Sequence, residues 1–288
     1  MAFTLYDAPH STCSQRVRFV LNAKGLAFEE RKLDLLAGDQ LAPEYLALNP
    51  NGVVPTLVHD GEVVTDSSVI IEYLDEVAPA GETFTPQVPA ERARMRSWMR
   101  FIDEVPAAAV RVPTYNLAFL PRFAGMSERE FLAVAESKPL RKEFMLAMGR
   151  NGFPDREMAA ALDRMRCTYE RMEASIAGSG GPFLQGRQPT LADISVMPAI
   201  VRMDDLGLAA TWAEQTRARP LVRRHPRSSG IRADLLSRLA ADRDIPPFAG
   251  TPRPRLGRRL ALAGARPAAL RRPWTIGTGI NDRPVTVP

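Results

Sequence analysis

The sequence predicts an α/β domain followed by an all-α domain, and three observations favour this fold class. Strand-like and helix-like patterns alternate over residues 1–80, a Pro/Gly-rich break follows, and helical spacing then dominates up to about residue 245. The chain has 288 residues, of which 45% are hydrophobic, so each domain can bury a core of its own.

The first domain opens with a βαβ pattern. FTLYDA at 3–8 is a short run of strand type, and FEERKLDL at 28–35 is a second one. Between them, SQRVRFVLNAKG at 14–25 has the spacing of a helix and ends in a Lys-Gly pair, which is typical of a helix C-terminus. A looser helical segment at 42–48 comes next.

A hairpin and a helix complete the first domain. In VPTLVHDGEVVTD at 54–66, Asp60-Gly61 stands between two apolar runs and predicts a pair of antiparallel strands. SSVIIEYLDEVA at 67–78 then has helical spacing. The predicted order, βαβ-α-ββα, differs from a doubly wound sheet because its last two strands form a hairpin.

The second domain is predicted to span residues 92–245, after a linker at 81–91. Helical spacing occurs at 91–112, 127–148, 155–178 and 190–208. Thr190 and Asp193 fit a capping box of the S/T-x-x-D type, to which we assign a role in folding and none in catalysis.

The positive charge of the chain lies mostly in its last 43 residues. Residues 246–288 contain eight Arg and one acid, a net charge of +7 within a chain total of +5, so the other 245 residues sum to −2. This segment also contains eight prolines and no sustained periodicity, which predicts a disordered Arg/Pro-rich tail. Such a tail does not by itself indicate a specific nucleic-acid partner, and we expect none.

The composition argues against several classes of protein. The two cysteines, Cys13 and Cys167, are far apart and have no neighbouring metal-ligand pattern, so neither a disulfide framework nor a metal site is expected. The N-terminus shows no signal-peptide pattern, and no apolar window approaches the roughly 18 residues of a membrane helix. We therefore expect a cytoplasmic protein without a membrane partner.

Four motifs resemble the cytosolic glutathione transferases. They are STCSQRVRFVL at 11–21, N-P-x-G-x-V-P-x-L at 49–57, Asp66-Ser67, and Thr190-Leu191-Ala192-Asp193. Residues 1–80 resemble the thioredoxin-like half of these enzymes, and the first motif is similar to that of the zeta class, which contains maleylacetoacetate isomerases and tetrachlorohydroquinone dehalogenases.

The helical half carries a second resemblance. MSEREF at 126–131, KPLRKEF at 138–144, GRNGFPDREM at 149–158 and an Arg-Met-Glu helix at 171–173 are similar to bacterial glutathione-dependent β-etherases, which cleave lignin-derived aryl ethers. The two resemblances imply glutathione as co-substrate and a homodimer, but they indicate different substrates.

The resemblance also implies which residues hold glutathione. It implies a cis peptide bond at Val54-Pro55, where the backbone of Val54 would pair with the cysteinyl residue of the tripeptide as a short extra strand does. Ser67 and the positive end of its helix would receive the γ-glutamyl carboxylate, and Asp66 the γ-glutamyl ammonium group, although either could equally be an N-cap. Gln40 is a further candidate contact.

Ser11 and Cys13 are the candidate catalytic residues. Ser11 precedes the first helix, where a hydroxyl that donates to sulfur would stabilise the glutathione thiolate; it could also be a helix cap. Cys13 lies in the first turn and continues the apolar stripe of Val17 and Val20, so it could be a core residue or a thiol-exchange residue. Both alternatives stay open for Cys13.

The electrophile site is expected between the two domains. Trp98, Met99, Tyr115 and Phe119 are the candidate contacts because large apolar side chains suit an aromatic electrophile. Arg111 could pair with an acidic group of the substrate or equally with Asp103 or Glu104.

The sequence therefore predicts a glutathione transferase that acts on a hydrophobic, aromatic electrophile by β-aryl ether cleavage or general conjugation. A zeta-like isomerase, a Cys13-dependent reductive dehalogenase and a non-catalytic glutathione-binding scaffold are the alternatives.

Overall fold

The structure, a computed structural model, describes residues 2–79, 82–123 and 125–208. The predicted tail at 246–288 and the last part of the predicted helical domain, 209–245, lie outside these ranges. The βαβ-α-ββα order of the N-terminal part is confirmed. Its elements are β1 (Phe3–Asp7), α1 (Thr12–Ala23), β2 (Phe28–Lys32), α2 (Pro43–Leu48), β3 (Thr56–His59), β4 (Glu62–Thr65) and α3 (Ser67–Val77).

The four strands form one sheet in the order β2-β1-β3-β4. Strands β1 and β2 are parallel, whereas β3 pairs antiparallel with both β1 and β4. At the β3–β4 turn, Asp60 and Gly61 have φ of 48° and 95°, the left-handed backbone that a two-residue hairpin turn requires. The dipeptide therefore specifies the turn, and with it the register of the hairpin.

The core of this part lies between the sheet and the helices α1 and α3. Leu5 of β1 and Leu57 of β3 are directly paired and fully buried. Val17 and Val20 of α1 and Ile71 of α3 are also fully buried in the same apolar cluster. This packing fixes the N-terminal end of α1 relative to the strands, which is the region that carries Ser11 and Cys13.

The C-terminal part is helical, as predicted. It consists of α4 (Pro89–Glu104), α5 (Pro106–Ala109), α6 (Arg111–Thr114), a π-helical turn (Tyr115–Phe119), α7 (Leu120–Phe123), α8 (Glu128–Glu136), α9 (Lys142–Met148), α10 (Asp155–Ser179) and α11 (Leu191–Asp205). Helix α11 packs against α1 and α4, so the two parts share one apolar cluster. Within the described ranges, no helix has both the length and the apolar character needed to cross a membrane.

Two predicted helices are interrupted in the structure. The single helix expected over 91–112 ends at Glu104 and restarts at Pro106, and the one expected over 127–148 is broken between Glu136 and Lys142. Proline is the physical reason, because it lacks an N–H to donate and its ring clashes with the preceding helical turn. Pro106 starts the first new segment, and Pro139 lies within the second break.

Helix α1 also carries two buried arginines, Arg16 and Arg18. Arg18 pairs with Asp7 at the end of β1. Arg16 reaches the helical part, where its Nη1 lies 2.6 Å from Asp103 Oδ1 and its Nε donates to the Ser195 carbonyl at 2.8 Å. The sheet and the helices are thus joined by polar contacts as well as by the apolar core.

The capping box of α11 is present and buried. Asp193 Oδ2 accepts hydrogen bonds from the Thr190 N–H and hydroxyl, both at 2.9 Å, and Oδ1 accepts from the Leu184 N–H at 2.9 Å. One carboxylate therefore fixes both the start of α11 and the loop before it.

Replacing Asp193 with alanine is expected to lower the free energy of unfolding by about 2–3 kcal/mol, because two buried N–H groups lose their acceptor. Urea denaturation at neutral pH measures this. The matched control is Glu130→Ala in the exposed capping box of α8, where water can replace the carboxylate and the loss should be smaller. Equal losses in the two variants would contradict the role of burial.

Candidate active site

A cavity of about 370 Å³ lies between the N-terminal end of α1, the segment before β3, and the helices from α6 to α9. It brings together six of the predicted site residues: Ser11, Cys13, Gln40, Val54, Tyr115 and Phe119. The first four come from the sheet part and the last two from the helical part. The predicted glutathione side and the predicted electrophile side therefore share one space.

Ser11 is the N-cap of α1. Its Oγ accepts a hydrogen bond from the Ser14 N–H at 3.1 Å, and its backbone is extended, with φ −81° and ψ 116°. Capping uses a lone pair of the hydroxyl and leaves its hydrogen available to an acceptor in the cavity. Ser11 can thus cap the helix and donate to a ligand at the same time, so the two interpretations of this residue are compatible.

Cys13 is half-buried in the first turn of α1, and its thiol is free. It lines the cavity and interacts electrostatically with Arg111, which lines the cavity as well. A side chain that lines a cavity is accessible to a small molecule, which a core residue is not. The geometry is therefore compatible with a thiol-exchange role.

Polar side chains of α2 and the following turn hold the segment that carries Val54. The Tyr45 hydroxyl donates to the Val53 carbonyl at 2.6 Å, and Asn49 Nδ2 donates to the same carbonyl at 2.9 Å. The Val54–Pro55 peptide bond is cis, as expected. Sequence reasoning gave no role to Tyr45 or Asn49, although Asn49 is the first residue of the motif at 49–57.

Gln40 is almost fully buried in the wall of the cavity, at 5% exposure. Within the described residues, its amide oxygen has no hydrogen-bond partner. A buried amide oxygen without a partner costs free energy, so this group is suited to receive a donor from a ligand.

Asp66 and Ser67 lie at the start of α3, outside the residues that line this cavity. Asp66 caps the helix, since its Oδ1 accepts from the N–H groups of Ser68 at 2.9 Å and Val69 at 3.3 Å. Ser67 is buried, and its Oγ accepts from Arg16 Nη1 at 3.3 Å. Both residues thus have structural partners, and the positive end of α3 is next to them.

The aromatic wall of the cavity is formed by the π-helical turn. The ring of Tyr115 makes edge-to-face contacts with Phe119 at 5.2 Å and with Phe144 at 5.0 Å, measured between ring centroids. π-helical turns occur frequently at functional sites because they re-aim side chains within a helical segment. Sequence reasoning found both aromatic residues but not this turn.

Trp98 and Met99 do not line the cavity. Both are buried in the main apolar cluster, and the Trp98 ring packs edge-to-face on Phe101 and lies 4.7 Å from the guanidinium of Arg171. The reason is the face of α4 on which they lie, which is turned toward the other helices of the core. The expected contact of these two residues with the electrophile is therefore not supported by the geometry.

The walls of the cavity are strongly basic. The residues that line it contain no Asp or Glu but contain five cationic side chains, from Arg111, Arg122, Lys138, Arg141 and Arg202. Burial, followed by the positive charge of Arg141, lowers the pKa of Arg111. Sequence reasoning considered Arg111 but did not place the other cations here.

Comparisons with known proteins agree with this arrangement. The family model described as the N-terminal domain of glutathione S-transferase matches residues 10–77. The protein LigF of Sphingobium sp. strain SYK-6 is 29% identical over 255 residues, which cover 83% of this chain and 98% of LigF. The maleylacetoacetate isomerase of Rhizobium meliloti is 34% identical over 209 residues, which cover 72% of this chain and 84% of that protein.

A solved structure is similar as well. The crystal structure of the beta-etherase LigF from the same Sphingobium strain superposes with a TM-score of 0.66 and 26% identity, and the match covers 86% of this chain and 97% of LigF.

Proposed function

The chain belongs to the glutathione S-transferase family, whose co-substrate is glutathione, and from this premise we propose that it cleaves or conjugates aromatic electrophiles such as β-aryl ethers. One observation carries this proposal: Ser11 and Val54 share a single cavity with Tyr115 and Phe119. A glutathione thiol near the first pair would face an aromatic group held by the second. Residues 1–80 would hold glutathione, and the helical residues from 92 onward the electrophile.

Ser11 would act on the glutathione sulfur. Its hydroxyl donates a hydrogen bond to the thiolate, and the positive end of α1 adds to the stabilisation of negative charge, so the thiol loses its proton more readily. The thiolate then attacks the carbon that bears the aryl ether. The carbon–sulfur bond forms, the carbon–oxygen bond breaks, and the departing phenolate takes a proton from water.

The remaining predicted residues would position the tripeptide. The Val54 backbone makes no hydrogen bond within the described residues, so its N–H and C=O are available to the cysteinyl residue of glutathione. Ser67 and the N-terminal end of α3 would receive the γ-glutamyl carboxylate, and Asp66 the ammonium group. Gln40 would accept a donor through its unpartnered amide oxygen.

The similarity to LigF favours an aryl ether as substrate because it extends over nearly the whole of LigF, including the helical half that would hold the electrophile. Two observations favour a second candidate function. The identity to the maleylacetoacetate isomerase is higher, and Cys13 lines the cavity. A zeta-like isomerase or a reductive enzyme that uses Cys13 in thiol exchange is therefore the alternative.

We place the enzyme in the cytoplasm as a homodimer. Val63 of β4 and Val69 of α3 are exposed apolar residues, at 41% and 48%, and each is accessible to a second copy. Sedimentation analysis that showed only monomer at micromolar concentration would argue against it.

The test uses binding first and turnover second. The protein is expected to bind to immobilised glutathione, and Ser67→Ala should weaken glutathione binding about tenfold because it removes one hydrogen bond to a charged group. Calorimetry measures the affinity, and Ser97→Ala on the exposed face of α4 is the matched control. Turnover is then measured with a β-aryl ether, a maleyl compound and a chlorinated hydroquinone. The ether is the expected substrate, and its expected products are a phenol and a glutathione thioether.

Two results would contradict the proposal. Wild-type protein that does not bind glutathione would exclude the transferase function. Turnover of the maleyl compound or the hydroquinone alone would assign the substrate to the alternative.

A further inference from the structure

We propose that Arg111 and Arg141 form a receptor for a carboxylate on the aromatic electrophile, so that the preferred substrate is an aromatic acid. This inference rests on the proposed function and names the substrate class of the same site. It starts from the imbalance of charge in the cavity, where five cationic side chains and no acidic one line the walls.

Neither arginine has a counter-charge in the part of the chain that the structure describes. Both are half-buried, and within the described residues no carboxylate lies within ion-pair distance of either guanidinium. Asp103, the acid that could have paired with Arg111, instead pairs with Arg16 at 2.6 Å and accepts the Ser68 hydroxyl. Two half-buried cations that repel each other cost free energy unless an anion binds to them.

The pair lies beside the aromatic wall. Arg111 and Arg141 are both electrostatic neighbours of Tyr115, whose ring contacts Phe119 and Phe144. A flat aryl ring can pack against these rings while its carboxylate meets the guanidinium groups, which bind carboxylates in a bidentate manner. An uncharged aromatic compound would contact the aromatic rings but would leave the two guanidinium groups without an anion.

The pair also lies on the side of the cavity where sulfur chemistry is expected, since Arg111 interacts with Cys13.

The other three cations line different parts of the same cavity. Lys138 and Arg122 are neighbours, and Pro139 packs next to Gly52 in the segment before β3. Arg202 donates to the His10 carbonyl at 2.6 Å. Those cations are therefore placed for glutathione or for the fold, which leaves Arg111 and Arg141 for the electrophile.

The carboxylate takes no part in the bond changes. The thiolate forms the carbon–sulfur bond, and the aryloxide or halide departs with the electron pair of the bond that breaks. The arginine pair would hold the ring in place during this step and would act through binding.

The test compares two electrophiles that differ only in charge, chloronitrobenzoate and its amide, chloronitrobenzamide. Their affinities are measured by calorimetry on protein saturated with S-methylglutathione, which cannot react. The acid is expected to bind at least about tenfold more tightly than the amide. Arg111→Gln and Arg141→Gln should each reduce the affinity for the acid about tenfold or more and leave that for the amide nearly unchanged.

The controls separate other roles of the two arginines. Arg94→Gln, which removes an exposed cation of α4 away from the cavity, should change neither affinity. Arg111→Lys keeps the charge and should retain part of the preference for the acid, which tests the receptor even if Arg111→Gln folds poorly.

Three results would overturn the receptor. The first is equal affinity of the wild-type protein for acid and amide, and the second is an equal loss for both compounds in the variants. The third is a matching loss of S-methylglutathione affinity, which would assign the pair to glutathione. Failure of the proposed function looks different, because wild-type protein would then not bind S-methylglutathione, while a preference for the acid could still be measured without it.

Discussion

Replacing Ser11 with alanine is expected to lower kcat/KM for an aromatic electrophile about a hundredfold, because the donor that stabilises the developing thiolate is removed. Alanine also removes the cap of α1, at a cost of about 1 kcal/mol of stability, which the native fold should tolerate. Ser11→Thr is the matched control, since threonine can cap the helix and donate a hydroxyl, and it should retain most of the activity.

The same variants test which residue carries the chemistry. The thiolate absorbance of bound glutathione, followed as a function of pH, should show a higher thiol pKa in Ser11→Ala, by about one unit or more. Cys13→Ala should retain conjugating activity. If Cys13→Ala is inactive and Ser11→Ala is active, the enzyme works by thiol exchange and Ser11 is only a helix cap.

Replacing Asp7 with alanine is expected to lower the free energy of unfolding by about 3–5 kcal/mol. The side chains of Asp7 and Arg18 are 0% and 4% exposed, and they pair with each other. Arg18 also donates to two main-chain carbonyls, that of Ala8 at 3.5 Å and that of Pro9 at 3.4 Å. Removing the carboxylate takes a buried partner away from a buried guanidinium, which is the costly way to break such a pair.

Urea denaturation of two further variants tests whether burial of the charge causes the loss of stability. In the double variant Asp7→Ala/Arg18→Met the buried positive charge is removed as well, so part of the lost stability should return. Arg96→Ala breaks the more exposed pair with Glu72 and should cost at most about 1 kcal/mol. A loss below about 1 kcal/mol in Asp7→Ala would show that the Arg18 charge is solvated or compensated in another way.

The N-terminal fold could be predicted because its signals are local. The Asp60-Gly61 dipeptide, the apolar runs on either side of it and the spacing in α1 each act over a few residues, and the structure has each element where these signals placed it. The helix breaks were missed for a related reason. Periodicity continues across Pro106, and a pattern of apolar residues does not register the missing N–H.

The partners of Arg16 could not be predicted, because they come from far away in the chain. Asp103 and Ser195 are 87 and 179 residues from it in sequence. No local pattern encodes such contacts, and an arginine in a first-domain helix has the same sequence signature whether it is solvated or buried.

The candidate site was predictable in part. Ser11 and Val54 stand at a helix start and a strand entry, where short motifs carry information. The sequence could not show that Tyr115 lines the cavity and Trp98 does not. The face of a helix that meets a cavity depends on how the neighbouring helices pack. Arg141 belongs to KPLRKEF, where several charged residues close together are typical of a solvated surface, and only the packing of α8 and α9 brings it to the cavity wall.

Arg16 gives the molecule a property that neither half has alone. Its Nη1 contacts Ser67, Ser68 and Asp103, so one guanidinium joins the start of the predicted glutathione-binding helix to the helical part. Separating the two parts would leave this charge without its carboxylate partner. The chain should consequently unfold in a single cooperative transition. A chimera that combines one half of this chain with the other half of a relative should be stable only if it keeps both the arginine at position 16 and its acidic partner.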